Sequence, residues 1–260
     1  QGYFVYDSKK SGSTTVSHLR FGPRPIRSTW QVRSANFVAV HDPSFLARYD
    51  VLACAAPGAT VLLNIAGEPA QVFAALPPPV QAALVAKRCR LFVIDGYRLA
   101  EEQGLGRRIN TVLQACFFAI SGVLPREEAL ARIKQSVADT WGRRGPEVVR
   151  RNVAAIDSAL AHLHEVPLGT PAAPVAVAPP RPAARESLTA AEQARLATLL
   201  RGEGDRLPVS AFPVDGSWPT GSSQLEKRAI AREIPVWEPD VCVQCNRCSM
   251  ICPHAAIVTK

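Results

Sequence analysis

The chain has 260 residues, 47% of them hydrophobic and 20% charged, with a formal net charge of +8. That is a globular composition, long enough for one large domain or two small ones, and it excludes a disordered chain. No apolar run reaches the roughly 18 residues of a membrane span, and no basic segment followed by an apolar stretch opens the sequence, so neither a membrane helix nor a signal peptide is expected.

Positive charge concentrates at the start. Residues 1–48 hold Lys9, Lys10, Arg20, Arg24, Arg27, Arg33 and Arg48 against Asp7 and Asp42 only. Such a surface attracts phosphates, acidic partners or nucleic acid. No nucleic-acid motif accompanies it, so no nucleic-acid partner is expected. Thr14–Arg20 alternates as a strand does. Buried strands are then expected at Asn36–Val40, Val51–Cys54, Thr60–Ile65 (after a Pro57-Gly58 turn) and Arg90–Ile94, because short apolar runs bounded by turns suit a sheet covered on both faces. Helical pieces separate them at Ser44–Arg48, Glu68–Leu76 and Val80–Lys87. This is βαβ order and implies an α/β fold with a mostly parallel sheet and flanking helices.

Helices follow. Ile109, Val112, Leu113, Cys116, Phe117 and Ile120 make one apolar helix face. Leu130, Ile133 and Val137 mark a second helix. Pro146 suits the first turn of a third over Glu147–His164, with Val149, Val153, Ile156, Leu160 and Leu163 as its buried stripe. Beyond Pro167 the sequence turns rich in Pro and Ala without hydrophobic period, as a semi-rigid linker does. Ser187–Glu192 opens a short helix, and residues 203–235 are irregular. The expected domains are an α/β domain at 1–166, a connector domain at 167–232, and the N-terminal part of a ferredoxin-like 2[4Fe–4S] domain at 233–260.

The last assignment rests on Cys242-Val-Gln-Cys245-Asn-Arg-Cys248-Ser-Met-Ile-Cys252-Pro253. Two-residue gaps let a tight loop wrap a cluster, aim successive thiolates inward and leave backbone N–H groups for the sulfides. In two-cluster ferredoxins such a run gives three ligands to one cluster and its fourth Cys to the other. Cys242, Cys245 and Cys248 are therefore expected on one [4Fe–4S] cluster and Cys252 on a second. Zinc favours separated ligand pairs and fits poorly. The remaining thiolates are expected beyond Lys260, since Cys54, Cys89 and Cys116 are dispersed in apolar sequence and read as small buried hydrophobes. With no initial Met and the cysteine set incomplete, the sequence reads as a segment of a longer chain. An odd cysteine count without a secretory signal points to a reducing, cytoplasmic compartment. Gly104-Leu-Gly106-Arg-Arg-Ile109 lacks the third glycine and the preceding strand of a dinucleotide loop. His18 and His41 stand alone and read as structural.

Several blocks together carry a resemblance. They are Tyr6-Asp-Ser-Lys-Lys-Ser-Gly12, Ser17-His-Leu-Arg-Phe-Gly22, Pro25-Ile-Arg-Ser28, Ala35-Asn-Phe-Val38 with His41, Gly104–Thr111, Gln114–Pro125, Glu226–Ala231, Ile234-Pro-Val-Trp237 and the cysteine run with Pro253–Ile257. In this order they resemble the third domain, fourth domain and start of the ferredoxin-like domain of pyruvate:ferredoxin (flavodoxin) oxidoreductases. The resemblance implies an enzyme that decarboxylates pyruvate oxidatively with thiamine diphosphate, Mg2+ and coenzyme A and passes electrons through [4Fe–4S] clusters to ferredoxin or flavodoxin. It implies a homodimer, the remainder of the same polypeptide as partner, and a coenzyme A contact at Ser8, Lys9, Lys10, Ser11 and Gly12. A Ser/Gly turn with two lysines suits phosphate. No Gly-Asp-Gly with a downstream Asn-Asn occurs, so the thiamine and pyruvate sites are expected outside these residues and no catalytic residue within them. Two other readings are an enzyme for a related 2-oxoacid, and a stand-alone iron–sulfur electron-transfer or scaffold protein.

Overall fold

The computed structural model describes residues 1–6, 15–47, 49–173, 188–200, 203–218 and 235–258. The chain divides into two units, one of residues 1–5 and 16–178, the other of residues 6–15 and 179–260.

The first unit is built on a four-stranded sheet. Its strands are β3 (Ala35–Val40), β4 (Ala55–Asn64), β5 (Arg90–Ile94) and β6 (His164–Val166), side by side in that order. The β3–β4 and β4–β5 pairs are parallel, and β5–β6 is antiparallel. Side chains alternate across a strand, so β4 sends Val61 and Leu63 to one face and Leu62 to the other, and β5 does the same with Leu91 and Val93 against Phe92 and Ile94. Each face has its own core. On one, Val61, Leu63, Leu91 and Val93 pack with Val72 and Phe73 of α1 (Pro69–Ala75) and Leu84 of α2 (Pro78–Ala86). On the other, Leu62, Phe92 and Ile94 meet Leu99 of α3 (Gly96–Glu102), Val112, Leu113 and Cys116 of α4 (Asn110–Ile120), Ile133 and Val137 of α5 (Arg126–Trp141), and Ile156 of α6 (Pro146–Ala161). The expected α/β architecture with a mostly parallel, doubly covered sheet is what the chain adopts.

Three local expectations need correction. Val51–Cys54 is a turn, not a strand. Leu52 is buried there, and the ammonium of Lys87 donates to the carbonyls of Leu52 and Ala53 at 2.5 and 3.1 Å. The run is apolar because it closes over the core. Pro57-Gly58 lies inside β4, where the register slips from Ala35↔Ala55 to Phe37↔Thr60. Gly58 takes φ +76° and its N–H donates to Lys87 O at 2.7 Å. This is a bulge that bends the strand without ending it. His164, expected as the last residue of the preceding helix, instead opens β6, which runs to Val166. Its Glu165 takes both oxygens to the Arg90 guanidinium at 2.9 and 3.0 Å, and that guanidinium also lies 5.0 Å over the Phe92 ring.

The carboxyl ends of the parallel strands are tied by one side chain. Asn64, 1% exposed, donates through Nδ2 to His41 O at 2.9 Å and accepts from Gly96 N at 2.8 Å. It therefore joins the ends of β3 and β4 to the first residue of α3. Asp95 caps that helix by accepting from Arg98 N. A Cβ on Gly96 would sit 3.0 Å from Asn64 Oδ1, so glycine is needed there for space.

Strands β1 (Gly2–Tyr6) and β2 (Thr15–Leu19) form a separate two-stranded ribbon. Val32 N–H donates to His18 Nδ1 at 3.1 Å, and burial, helped by the nearby Arg20 charge, holds the imidazole below its ordinary pKa. A group depressed in the folded state contributes stability that is complete above its unfolded value, near 6.5, and is lost as pH falls. The thermal midpoint should therefore drop between pH 7.5 and pH 5.5. His18→Gln, whose amide oxygen still accepts a hydrogen bond, should show a shallower drop. Equal slopes for the two proteins in scanning calorimetry would refute this.

In the second unit, α7 (Ala190–Leu200) begins with a reciprocal cap. Glu192 N donates to Thr189 Oγ1 at 3.3 Å, and Thr189 N donates to Glu192 Oε2 at 2.7 Å. This capping box starts the short helix expected there. Arg195 lies 5.9 and 5.8 Å over the rings of Phe212 and Trp218, which stack at 6.4 Å. Among the described residues no helix is long and apolar enough to cross a membrane.

Candidate functional site

The cysteine run lies in the second unit on a single short piece of backbone. A 3-10 turn at Pro239–Val241 delivers Cys242, and α8 (Arg247–Ile251) carries Cys248 and ends at Cys252. Between them Gln244 and Asn246 take φ +52° and +60°. Two left-handed residues in three turn the chain sharply on either side of Cys245. Asparagine adopts this conformation readily; glutamine does so at more cost. Ala255 takes φ +49° after the last cysteine. Cys242, Cys245 and Cys248 are exposed and Cys252 is half-buried.

Two of the sulfurs, those of Cys242 and Cys252, are supplied with donors. Ala256 N–H points at Cys252 Sγ at 3.3 Å. The backbone N–H groups of His254, Ala256 and Ile257 pull the Cys252 pKa below its ordinary value, and the Trp237 side chain with the Gln244 N–H does the same for Cys242. Ser249 Oγ donates to Ile257 O at 3.0 Å and closes the loop on itself. Hydrogen bonds to a thiolate favour the ionised, ligating form. Cys89 and Cys116 behave oppositely. Burial raises the Cys89 pKa and pushes that of Cys116 up to about 12. Those two are buried hydrophobes as expected, while Cys54 is only half-buried.

Four thiols, two of them with N–H groups on the sulfur, and no carboxylate or imidazole in the motif's ligating positions, fit an iron–sulfur cluster as a donor set. Among the described residues no group of three or more His, Cys, Asp or Glu side chains is close enough to hold a single metal ion. A cluster takes one thiolate per iron, so its ligands surround a volume and need not meet at a point. The positive-φ positions and the donor role of Trp237 were not anticipated from the sequence. Asn246 was the one available signal.

The other candidate residues, Ser8, Lys9, Lys10, Ser11 and Gly12, lie outside the described residues. The turn glycines Gly104 and Gly106 have φ of +69° and +60°, and Arg151 Nη1 donates to Gly104 O at 3.3 Å, so that loop is occupied by packing against α6.

Comparison with known proteins extends this picture. A 4Fe-4S binding domain model matches residues 234–257. An α/β unit followed by such a domain places the chain among iron–sulfur proteins. A model described as pyruvate ferredoxin/flavodoxin oxidoreductase matches residues 1–162, and one described as a domain of unknown function matches 193–231. The chain belongs to the pyruvate ferredoxin/flavodoxin oxidoreductase family. It is 49% identical to the putative pyruvate-flavodoxin oxidoreductase of Synechocystis sp., 48% to the pyruvate-flavodoxin oxidoreductase of Rhodospirillum rubrum and 43% to the probable pyruvate-flavodoxin oxidoreductase of Escherichia coli. Each match takes in 100% of this chain and 22% of the relative. The chain thus spans about a fifth of the length of the curated relatives it matches.

Proposed function

We propose that this chain is the coenzyme A-associated and cluster-bearing part of an enzyme that oxidises pyruvate to acetyl-coenzyme A and CO2. The observation that carries the reading is the unbroken alignment of the whole chain, at 49% identity, with a pyruvate-flavodoxin oxidoreductase. The cysteine loop, with donors on the sulfurs of Cys242 and Cys252, supports it from the chemistry. In this reading Cys242, Cys245 and Cys248 hold one [4Fe–4S] cluster and Cys252 belongs to a second. The clusters, when bound, supply one-electron steps between the oxidised substrate and a ferredoxin or flavodoxin. The chain's own residues hold the sulfurs as thiolates and orient the loop, with the Trp237 side chain donating to Cys242.

The remaining pieces are assigned on the same basis. The domains run 1–166, 167–232 and 233–260. Thiamine diphosphate and Mg2+ sit in other parts of a cytoplasmic, homodimeric enzyme. Ser8, Lys9, Lys10, Ser11 and Gly12 contact the phosphates of coenzyme A. The reading is tested on the full-length protein by pyruvate-dependent reduction of a viologen dye with and without coenzyme A. Reduction that needs both supports it, and its absence in cluster-replete protein overturns it. Replacing Lys9 and Lys10 with Ala should raise the KM for coenzyme A roughly tenfold or more, as expected for the loss of two phosphate contacts at about 1 kcal/mol each. The KM for pyruvate should not move. An unchanged coenzyme A dependence would remove these lysines from the site.

A further inference from the structure

Along residues 241–258 every residue is exposed except two, Ser249 and Cys252, which are half-buried. Both are touched by the loop that follows the last cysteine. Ala256 N–H donates to Cys252 Sγ at 3.3 Å, and Ser249 Oγ donates to Ile257 O at 3.0 Å. Ser249 therefore grips the residue next to the one that donates to sulfur.

The loop is poorly held by its own backbone. Ala255 takes φ +49°, a left-handed conformation that alanine disfavours. Its N–H reaches Cys252 O only at 3.4 Å, long for a bond of this type. Backbone in such a conformation persists where surrounding contacts over-determine it. Among the described residues the Ser249 hydroxyl makes the one side-chain hydrogen bond that joins α8 to this loop. What it holds matters to the sulfur. The N–H groups of His254, Ala256 and Ile257 all favour the ionised Cys252, and donors on the ligating sulfurs are among the terms that set an iron–sulfur potential. They withdraw electron density and so favour the reduced cluster. The donors to Cys242 are different groups, the Trp237 side chain and the Gln244 N–H, and Ser249 is not among them.

We propose that Ser249 is a positioning residue for electron transfer. Its hydroxyl keeps the 253–257 loop on the Cys252 sulfur and so raises the reduction potential of the cluster that Cys252 ligates, without acting on the cluster of Cys242, Cys245 and Cys248. The inference rests on the reading above that Cys252 serves a second cluster.

The test is an EPR-monitored redox titration of the full-length, cluster-loaded enzyme. Cys252→Ser and Cys245→Ser identify the spectral component of each cluster. In Ser249→Ala the Cys252 component should reduce at lower potential. Held at that component's midpoint in the unsubstituted enzyme, its reduced-to-oxidised ratio should fall at least threefold, about 28 mV for a one-electron couple. The Cys245 component should stay where it is, and Ser249→Thr, which keeps the hydroxyl, should restore the ratio. Iron content and thermal midpoint should hold, because the lost bond is solvent-exposed. A second variant leaves Ser249 in place. The α-hydroxy acid analogue of valine at position 258 turns the Ile257 carbonyl into an ester, a weaker acceptor, and should move the same component the same way. It decides the matter even where Ser249→Ala loses its iron. An unshifted Cys252 component, equal shifts of both components, or no recovery with threonine each overturns the proposal. A spectrum indifferent to Cys252→Ser overturns instead the assignment of Cys252 to a cluster, and the proposal with it.

Discussion

Cys245→Ser in the full-length enzyme should lose cluster-bound iron and remove or shift a low-potential EPR signal, and should slow pyruvate-dependent acceptor reduction at least tenfold. Cys245 sits between the two left-handed residues Gln244 and Asn246 and is exposed. A serine hydroxyl there is a harder and far less acidic donor than a thiol, and iron–sulfur potentials depend on thiolate ligation. Decarboxylation itself should persist, because the thiamine and pyruvate sites are proposed in other parts of the enzyme. The control is Cys116→Ser. Its thiol is buried in the core between the sheet and α3 to α6, with a pKa pushed up to about 12. That variant should keep its full iron content whatever it costs in packing. Full iron and an unaltered spectrum in Cys245→Ser would remove this residue from the cluster.

Asn64→Ala should be the most damaging single change in the first unit outside its apolar core. The substitution strands the buried Gly96 N–H and the His41 carbonyl, each at about 1–3 kcal/mol. A loss of roughly 2–6 kcal/mol follows, a large fraction of a typical domain's stability. Asn64→Asp is not a rescue. It keeps an acceptor for Gly96 but turns a carboxylate oxygen toward the His41 carbonyl in a site 1% exposed, where an unpaired charge is costly. The local readout is the Gly96 amide, which should exchange roughly thirtyfold faster or more in Asn64→Ala. A change below threefold would mean that the strand ends are held by packing alone.

The parts of this architecture legible in the sequence were those that bury large side chains in regular order. Val61-Leu-Leu63 and Leu91-Phe-Val-Ile94 are apolar without alternation, which only a sheet covered on both faces explains, and both became central strands. The face of α4 was visible for the same reason. In α6 the large residues gave the helix, but Ala155 and Ala159 are fully buried against the sheet, and small residues carry little periodic signal. Strand β6 is three residues long and is defined by pairing with a strand far away in sequence, which no local window contains. Val51–Cys54 misled because a buried turn and a buried strand have the same composition. At the cysteine loop, spacing alone gave the chemistry. The left-handed backbone at Gln244 and Ala255 had no such signal, since neither residue type prefers it.

The remoteness of β6 has a consequence for how the chain matures. Once Ile94 is made, β3, β4 and β5 with α1 and α2 have all their sequence available, and the contacts among them are short-range. The outer edge of β5 stays without its partner until His164–Val166 is made about 70 residues later, an interval of roughly 4–14 s at ordinary elongation rates. During that time an apolar strand edge is open to neighbouring nascent chains on the same message, with the Arg90 side chain as its polar guard. Completion of α6 and the arrival of Glu165 at Arg90 end the exposure. Slowing translation between codons 95 and 163 lengthens the window in which this edge invites misassembly, and a chaperone that shields strand edges acts there if it acts anywhere on the α/β unit.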